Sequence, residues 1–244
     1  MKARLSNSEI KRIRSLSQKK YRDEYGLFVV EGEKLVEEAL KSGFRVEAVY
    51  RKDSVGEEAM ARISQFSTPS PVLAVVRKPE ETQVRIPDSG LFLALDTVRD
   101  PGNLGTIVRI ADWFGINAIF ATGDTVDIYN PKVVQATMGA VFRIDFHYCD
   151  LLQTVSGFSA KGGKVYGTFL DGENIYGKEL KTGQNSPVLM VMGNESEGIS
   201  PEIVACVHER LYIPSYPPDI PGSESLNVAV ATAIAVSEFR RRLY

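Results

Sequence analysis

Three stretches of the chain concentrate residue types that could bind a ligand or handle a reacting group. The first is DTVRDPGNLGTIVRIADWFG, residues 96–115. Asp100, Pro101 and Gly102 read as a turn, and Asn103 stands where a helix cap would stand. Arg109 follows within two helical turns, between the apolar Ile107 and Ile110. An arginine amid the residues such a helix would bury is unusual enough to mark. Its plainer reading is a solvent-facing arginine. The second stretch is VMGNESEGIS, residues 191–200. Gly193 and Gly198 let the backbone turn sharply and approach a ligand, while Glu195 and Glu197 place carboxylates beside it. A strand-to-helix loop with capping acids would look the same. The third is IPSYPPDIPGSESLNVAVATAIAVSEF, residues 213–239. A proline-rich loop ends in Ser225 and Asn227, which offer a hydroxyl and an amide from the first turn of a long helix. Ordinary capping and core packing would also explain them.

These stretches need elements to hold them. Residues 8–19 predict a helix, with Ser8 able to cap it and Ile10, Ile13 and Leu16 at helical spacing. A strand over 27–30, a helix over 31–42 closed by Gly43, strands over 46–50 and 72–76 and a helix near 56–65 complete a small α/β unit. The polar, proline-bearing run 78–90 reads as a linker. Beyond it, strands over 91–95, 117–122, 165–170 and 187–192 alternate with helices over 103–115 and 131–141, and a long helix over 224–243 closes the chain. LFLAL (91–95) is apolar throughout, as a strand buried on both faces would be. Such alternation implies a parallel sheet with helices on both faces. The expected domains are therefore 1–77, a linker 78–90, and 91–244. In sheets of this kind ligands bind outside the C-terminal ends of the strands, where the three stretches fall.

Composition narrows the function classes. At 244 residues with 43% hydrophobic and 25% charged residues, the chain can bury a sizeable core without metals or disulfides. Two cysteines and two histidines form no local cluster, so no metal site is expected. No apolar run follows the first basic residues and none reaches the length of a membrane span, which makes the cytoplasm the default expectation. Net charge is −2, but it is unevenly spread. Residues 1–22 hold Lys2, Arg4, Lys11, Arg12, Arg14, Lys19, Lys20 and Arg22 against Glu9, and Arg240, Arg241 and Arg242 close the chain. Either run could meet phosphates or could be a solvated helix face. GFSAKGGK, 157–164, fails as a phosphate-binding loop: its lysine follows a second glycine, and Val165 stands where a magnesium-binding hydroxyl is required.

Taken together and in this order, the three stretches resemble the motifs of the SpoU (TrmH-like) ribose 2'-O-methyltransferases of the SPOUT superfamily. Asn103, Gly105, Arg109 and Gly115 match the first motif; Gly193, Asn194, Glu195 and Gly198 the second; Ile213, Pro214 and Ser225 to Val228 the third. NPKVVQATMGAVF, 130–142, is similar to the family's connecting helix, and the N-terminal region resembles the substrate-binding domain that precedes the catalytic domain in many members. Two departures stand out: a longer loop over 215–222, and Gln135 and Thr137 where a basic residue and a serine are usual.

The resemblance implies an α/β chain whose C-terminal parallel-sheet domain carries a trefoil knot, preceded by a small α/β RNA-binding domain. It implies S-adenosylmethionine without a metal. The adenine would be bound through backbone groups at Gly193, Ile213 and Leu226, with Leu95 and the Thr122-Gly123 turn as neighbours. It places Arg109 at the centre of methyl transfer with Asn103, Glu195, Ser225 and Asn227 around it. It also implies a homodimer built on the last helix, whose small-residue face is Ala229, Ala231, Thr232 and Ala235. A separate basic domain favours ribosomal RNA as substrate; tRNA methylation and a non-catalytic RNA-binding role are the competing expectations.

Overall fold

The computed structural model describes residues 5–80, 84–217 and 223–243. Its first elements are α1 (Asn7–Ser15), α2 (Lys19–Tyr25), β1 (Leu27–Glu31), α3 (Glu33–Lys41), β2 (Val46–Arg51), α4 (Lys52–Val55), α5 (Glu57–Ile63) and β3 (Val72–Arg77). Next come β4 (Gly90–Leu95), α6 (Pro101–Trp113), β5 (Ile119–Ala121), α7 (Pro131–Thr137), β6 (Phe146–Tyr148) and α8 (Leu151–Ala160). The chain ends with β7 (Lys164–Asn174), β8 (Pro187–Met192), α9 (Pro201–Val204), β9 (Glu209–Tyr212) and α10 (Val228–Arg241). They form two compact units: Met1–Glu81 with Asp127–Arg143, and Thr82–Val126 with Ile144–Tyr244.

In the first unit, β1, β3 and β2 make an antiparallel sheet in that order. Ile10, Ile13 and Leu16 of the N-terminal turns pack with Leu27, Val29, Met60, Ile63, Leu73 and Val75. The single helix expected over 8–19 is two helices. Ser6, not Ser8, caps α1 by accepting from the Glu9 N–H. The chain breaks after Ser15, and Arg22 explains how the break is tolerated. Its Nη1 donates to the Leu16 and Ser17 carbonyls at 2.9 Å each, covering groups the break would leave without partners. The same guanidinium reaches Asp127 at 2.8 Å through Nε and 2.6 Å through Nη2, and both residues are buried.

That pair ties residues 127–143 to this unit, although the sequence places them within 91–244. Aromatic packing adds to it: Phe28 meets Tyr129 at 4.6 Å between ring centroids, and Phe44 meets Phe142 at 5.2 Å. The helix expected over 131–141 stops at Thr137. Met138 and Gly139 adopt left-handed backbone, and a single tighter turn follows at Ala140–Phe142. Thr137, which stands where a serine is usual in the family, is buried and donates to the Val134 carbonyl, so its hydroxyl faces no solvent.

In the second unit all six strands are parallel, in the order β6-β5-β4-β8-β7-β9. β4 and β8 are neighbours at the point where strand order reverses, and they are apolar and buried almost throughout, as strands covered on both faces must be. Phe92, Phe120, Val155, Phe158, Val165 and Leu189 form the core on one face, in part through α8, which the sequence pattern did not resolve. Among the described residues no helix is long and apolar enough to cross a membrane.

Candidate active site

The reversal of strand order places two of the three stretches side by side. Residues 96–100 leave the C-terminal end of β4 and residues 193–200 leave that of β8, its hydrogen-bonded neighbour. Loops leaving adjacent parallel strands at such a reversal open a crevice. Asp96, buried at the end of β4, accepts from the Ser200 N–H at 2.7 Å and so clamps the two loops. Thr97 adopts left-handed backbone at φ 62°, a conformation that costs about 1–3 kcal/mol in a residue with a branched side chain. Hydrogen bonds on both sides hold it there. Its N–H donates to Thr122 Oγ1 at 2.9 Å, and its carbonyl accepts from Asn194 Nδ2 at 2.7 Å.

Asn194 also shapes its own loop. Its Oδ1 accepts from the Ser196 and Glu197 N–H groups, and its backbone pairs with Gly198 in both directions. A side chain on Gly193 would stand 2.3 Å from the Gly198 carbonyl carbon. The glycine is therefore required by the loop closing on itself.

The helix cap expected at Asn103 lies three residues earlier. Asp100 caps α6, accepting from the Asn103 N–H at 2.8 Å. Shifting the cap three residues back leaves the Asn103 amide free to bridge. Its Nδ2 donates to Glu195 Oε1 at 2.9 Å, and its Oδ1 accepts from Asn227 Nδ2 at 2.8 Å. Asn227 is itself the cap of α10, accepting from Ala229 and Val230 N–H groups. The helix expected from 224 thus starts at Val228, and Ser225 lies ahead of it. One chain of hydrogen bonds, Asn227–Asn103–Glu195, joins all three stretches.

The remaining expected residues lie around this network without being bonded to it. Among the described residues no hydrogen bond joins Arg109, Ser225, Leu226, Ile213 or Gly123 to it. Arg109 is exposed and shares an outward stripe of α6 with Thr106 and Trp113. Its Cα is about 9 Å further along the helix axis than that of Asn103, and helical side chains lean back toward the N-terminus, which shortens that gap. Ser225 and Leu226 are exposed, and Ile213 is half-buried just beyond β9. Leu95 is fully buried and its carbonyl already accepts from the Thr122 N–H and the Thr125 hydroxyl, so little of it is left for a ligand. The Thr122 hydroxyl is engaged by Thr97 and Thr125, whereas Gly123 is open. Of the longer 215–222 loop, residues 218–222 lie outside the described residues.

The chain is similar to known proteins along nearly its whole length. The SpoU rRNA Methylase family matches residues 90–237, and the MRM3-like substrate binding domain matches residues 7–75. The chain belongs to the SpoU rRNA methylase family. The 23S rRNA (guanosine(2553)-2'-O)-methyltransferase of Bacillus subtilis is 34% identical over 96% of this chain and 96% of its own. An AdoMet-bound rRNA methyltransferase from Sinorhizobium meliloti superposes with a TM-score of 0.87 at 31% identity, covering 99% of this chain and 98% of that one. A structure assigned to the TrmH family of RNA methyltransferases, from Porphyromonas gingivalis, gives 0.87 at 41% identity, covering 98% and 100%.

Two residues outside the family motifs, Asp96 and Thr97, tie the loops after β4 and β8 to each other. A carboxylate directly after an all-apolar strand was the available signal for Asp96; nothing local marks Thr97 for left-handed backbone. The three C-terminal arginines are engaged within the chain, while Arg241 keeps 65% of its side chain exposed. Arg240 donates to the Phe114 carbonyl, while Arg241 and Arg242 pair with the buried Glu238, whose carboxyl they hold below its ordinary pKa. In the N-terminal run, Lys2 and Arg4 lie outside the described residues, Arg14 donates to the Ser64 carbonyl, Lys19 pairs with Asp23 and Arg22 is buried, which leaves Lys11, Arg12 and Lys20 exposed without a carboxylate partner among the described residues. No group of three or more His, Cys, Asp or Glu among the described residues is placed to hold a metal ion.

Proposed function

We propose that this chain transfers a methyl group from S-adenosylmethionine to a ribose 2'-hydroxyl in large-subunit ribosomal RNA, without a metal ion. The observation that carries the reading is the Asn227–Asn103–Glu195 chain at the C-terminal edge of a parallel sheet, with Arg109 on the same helix as Asn103. The loop residues suit this cofactor. Stretches 191–200 and 213–227 contain no lysine or arginine, so they offer nothing to a nucleotide's phosphates, whereas Glu195 and Glu197 suit a cationic sulfonium. Leu226 and Ile213 offer apolar surface beside backbone groups, which fits a neutral purine. In this reading Gly193, Ile213 and Leu226 hold the adenine. The trefoil knot of the family would bring the 213–227 loop against the 193–198 loop.

The bound cofactor supplies a methyl group activated by positive sulfur. The chain must then align the ribose oxygen with it while that oxygen gives its proton to a phosphate oxygen or to water. Arg109 remains protonated in a protein, so it serves by gripping the adjacent phosphate and stabilising developing negative charge on the oxygen. Asn103, fixed from both sides, orients the reacting groups. Ser225 and Asn227 close the site.

The exposed Lys11 and Arg12 of α1 suit the phosphates of a folded RNA. Purified protein, incubated with labelled cofactor in EDTA, is expected to label ribosomal RNA at a 2'-hydroxyl and to leave tRNA unlabelled. Label on tRNA alone would refute the substrate, and activity lost to EDTA but restored by a divalent ion would refute metal-free transfer. Cytoplasmic location belongs to this reading.

A homodimer is also part of it, though on a different face from the one expected. Of the expected face, Ala229, Thr232 and Ala235 are buried in the chain's own core and Ala231 is half-buried. The outward stripe of α10 is Val230, Ala233, Ile234 and Ser237, and on α6 Trp113 is 84% exposed. An exposed tryptophan beside an apolar helix stripe suits a two-fold contact between copies. Light scattering at micromolar concentration is expected to give the mass of two chains, and Trp113→Asp to shift it toward one. A single-chain mass for the unmodified protein would contradict this.

A further inference from the structure

The first unit carries a cleft that the methyl-transfer site does not use. It has a volume of about 440 Å³ and is lined by Gly43, Phe44, Arg45, Arg77, Lys78, Pro79 and Phe142. That lies within the roughly 300–1,000 Å³ of small-molecule sites. Two lining rings, Phe44 and Phe142, meet edge to face at 5.2 Å, and they are backed by Phe28, 6.2 Å from Phe44. The rings are therefore braced by a packed aromatic cluster.

Three cations surround that apolar floor. Arg45 and Arg77 stand at paired backbone positions, the Arg77 N–H donating to the Arg45 carbonyl at 2.9 Å. Arg77 pairs with Glu47, and Lys78 pairs with Asp23 at 2.7 Å while lying 5.5 Å from the centre of the Tyr129 ring. Arg45 is exposed and has no carboxylate partner among the described residues. The cleft thus combines a braced aromatic floor with one uncompensated and two partly compensated positive charges. An aromatic floor takes a flat, neutral ring, and the surrounding cations take an anion joined to it. Gly43 adds no side chain, and a Cβ there would meet nothing within 4 Å, so the approach beside Phe44 is open.

We propose that this cleft is a subsite for an unpaired nucleotide of the RNA substrate, with its base against the half-buried Phe44, which the buried Phe142 braces, and its phosphate on Arg45 and Arg77. The inference rests on the RNA-methyltransferase reading and deepens it. Stacking of a splayed-out base on aromatic side chains, with arginine on the backbone, is the physical basis of single-strand recognition. A paired helix keeps its bases stacked inside and cannot place one in the cleft. The subsite gives the N-terminal unit a preference for loops and bulges over duplexes.

The test uses the full chain and two short RNAs of one sequence, single-stranded and annealed to its complement as a blunt duplex. Two variants are compared with the unmodified protein. Arg45→Glu alters an exposed side chain and should leave folding intact; Phe44→Leu keeps apolar volume but removes the ring. Each is expected to weaken single-strand binding roughly tenfold, with duplex binding changed far less and cofactor binding unchanged by calorimetry. Single-stranded RNA carrying 4-thiouridine is expected to photocrosslink to peptides containing residues 43–45 or 140–143. Equal losses for single strand and duplex would overturn the subsite, because they indicate charge alone. Unchanged binding in both variants, or crosslinks confined to other peptides, would overturn it as well. Failure of the broader reading looks different: the unmodified protein would then bind no cofactor and methylate no RNA.

Discussion

Replacing Arg109 with alanine is expected to lower kcat for methyl transfer by about 10²–10³-fold, the usual loss when one preorganised donor to a developing oxyanion is removed. The position suits a clean measurement. Arg109 is exposed on α6, and no hydrogen bond or ion pair ties its side chain to other described residues. Its removal therefore leaves no buried group unsatisfied, and the melting temperature should stay where it was. Cofactor affinity should also hold, because the loops proposed to bind it are 193–198 and 213–226. Arg109→Lys keeps the charge but loses the planar fork that grips phosphate at two points. It should recover only a minor part of the rate. A kcat within about threefold of the unmodified enzyme would remove Arg109 from the chemistry.

The largest effect on stability is expected at Asp127. Its carboxylate receives both Nε and Nη2 of Arg22 on one oxygen and the Tyr129 N–H on the other. Arg22 is only 2% exposed. Asp127→Ala leaves that guanidinium buried without a counter-charge, which costs about 3–5 kcal/mol. It also frees the Tyr129 N–H and loosens the joint between α2 and the 127–143 segment. The Tyr129 hydroxyl already has its pKa raised, by burial first and by the Asp127 charge second. Chemical denaturation should show the loss as a lower midpoint. Replacing both partners, Arg22→Met with Asp127→Leu, should recover much of it, since an apolar pair of similar volume needs no counter-charge. A single-variant loss below about 1 kcal/mol would mean that water reaches the pair.

The two expectations depend on the sequence to different degrees. Arg109 was visible because an arginine between Ile107 and Ile110 breaks the apolar pattern of a helix. Asp127 gave no such sign. Its partner lies 105 residues earlier, inside what reads as a basic run for solvent or phosphates. Burial reverses the meaning of Arg22, and burial is a property of the packed fold. The same holds for Arg240, Arg241 and Arg242, which read as a cationic cluster but are engaged by carbonyls and by Glu238.

Periodicity was enough for the parallel sheet, because strands covered on both faces must be apolar throughout, and β4 and β8 are. It was also enough to mark the three stretches, since glycine, asparagine and acid collected at strand ends are local features. What it could not supply was which strands are neighbours. The order β6-β5-β4-β8-β7-β9 decides that the loops after β4 and β8 meet. The third stretch leaves β9 at the edge, three strand positions from β4, or about 14 Å across the sheet. Asn227, at the start of α10, nevertheless meets Asn103. Moving the α6 cap from Asn103 to Asp100 then frees the amide that receives it. The residue types and their spacing along each element are thus set by local chain geometry. The pairing of Asn227, Asn103 and Glu195 is set by long-range strand order, because a hydrogen bond needs its partners within about 3 Å whatever their separation in the chain.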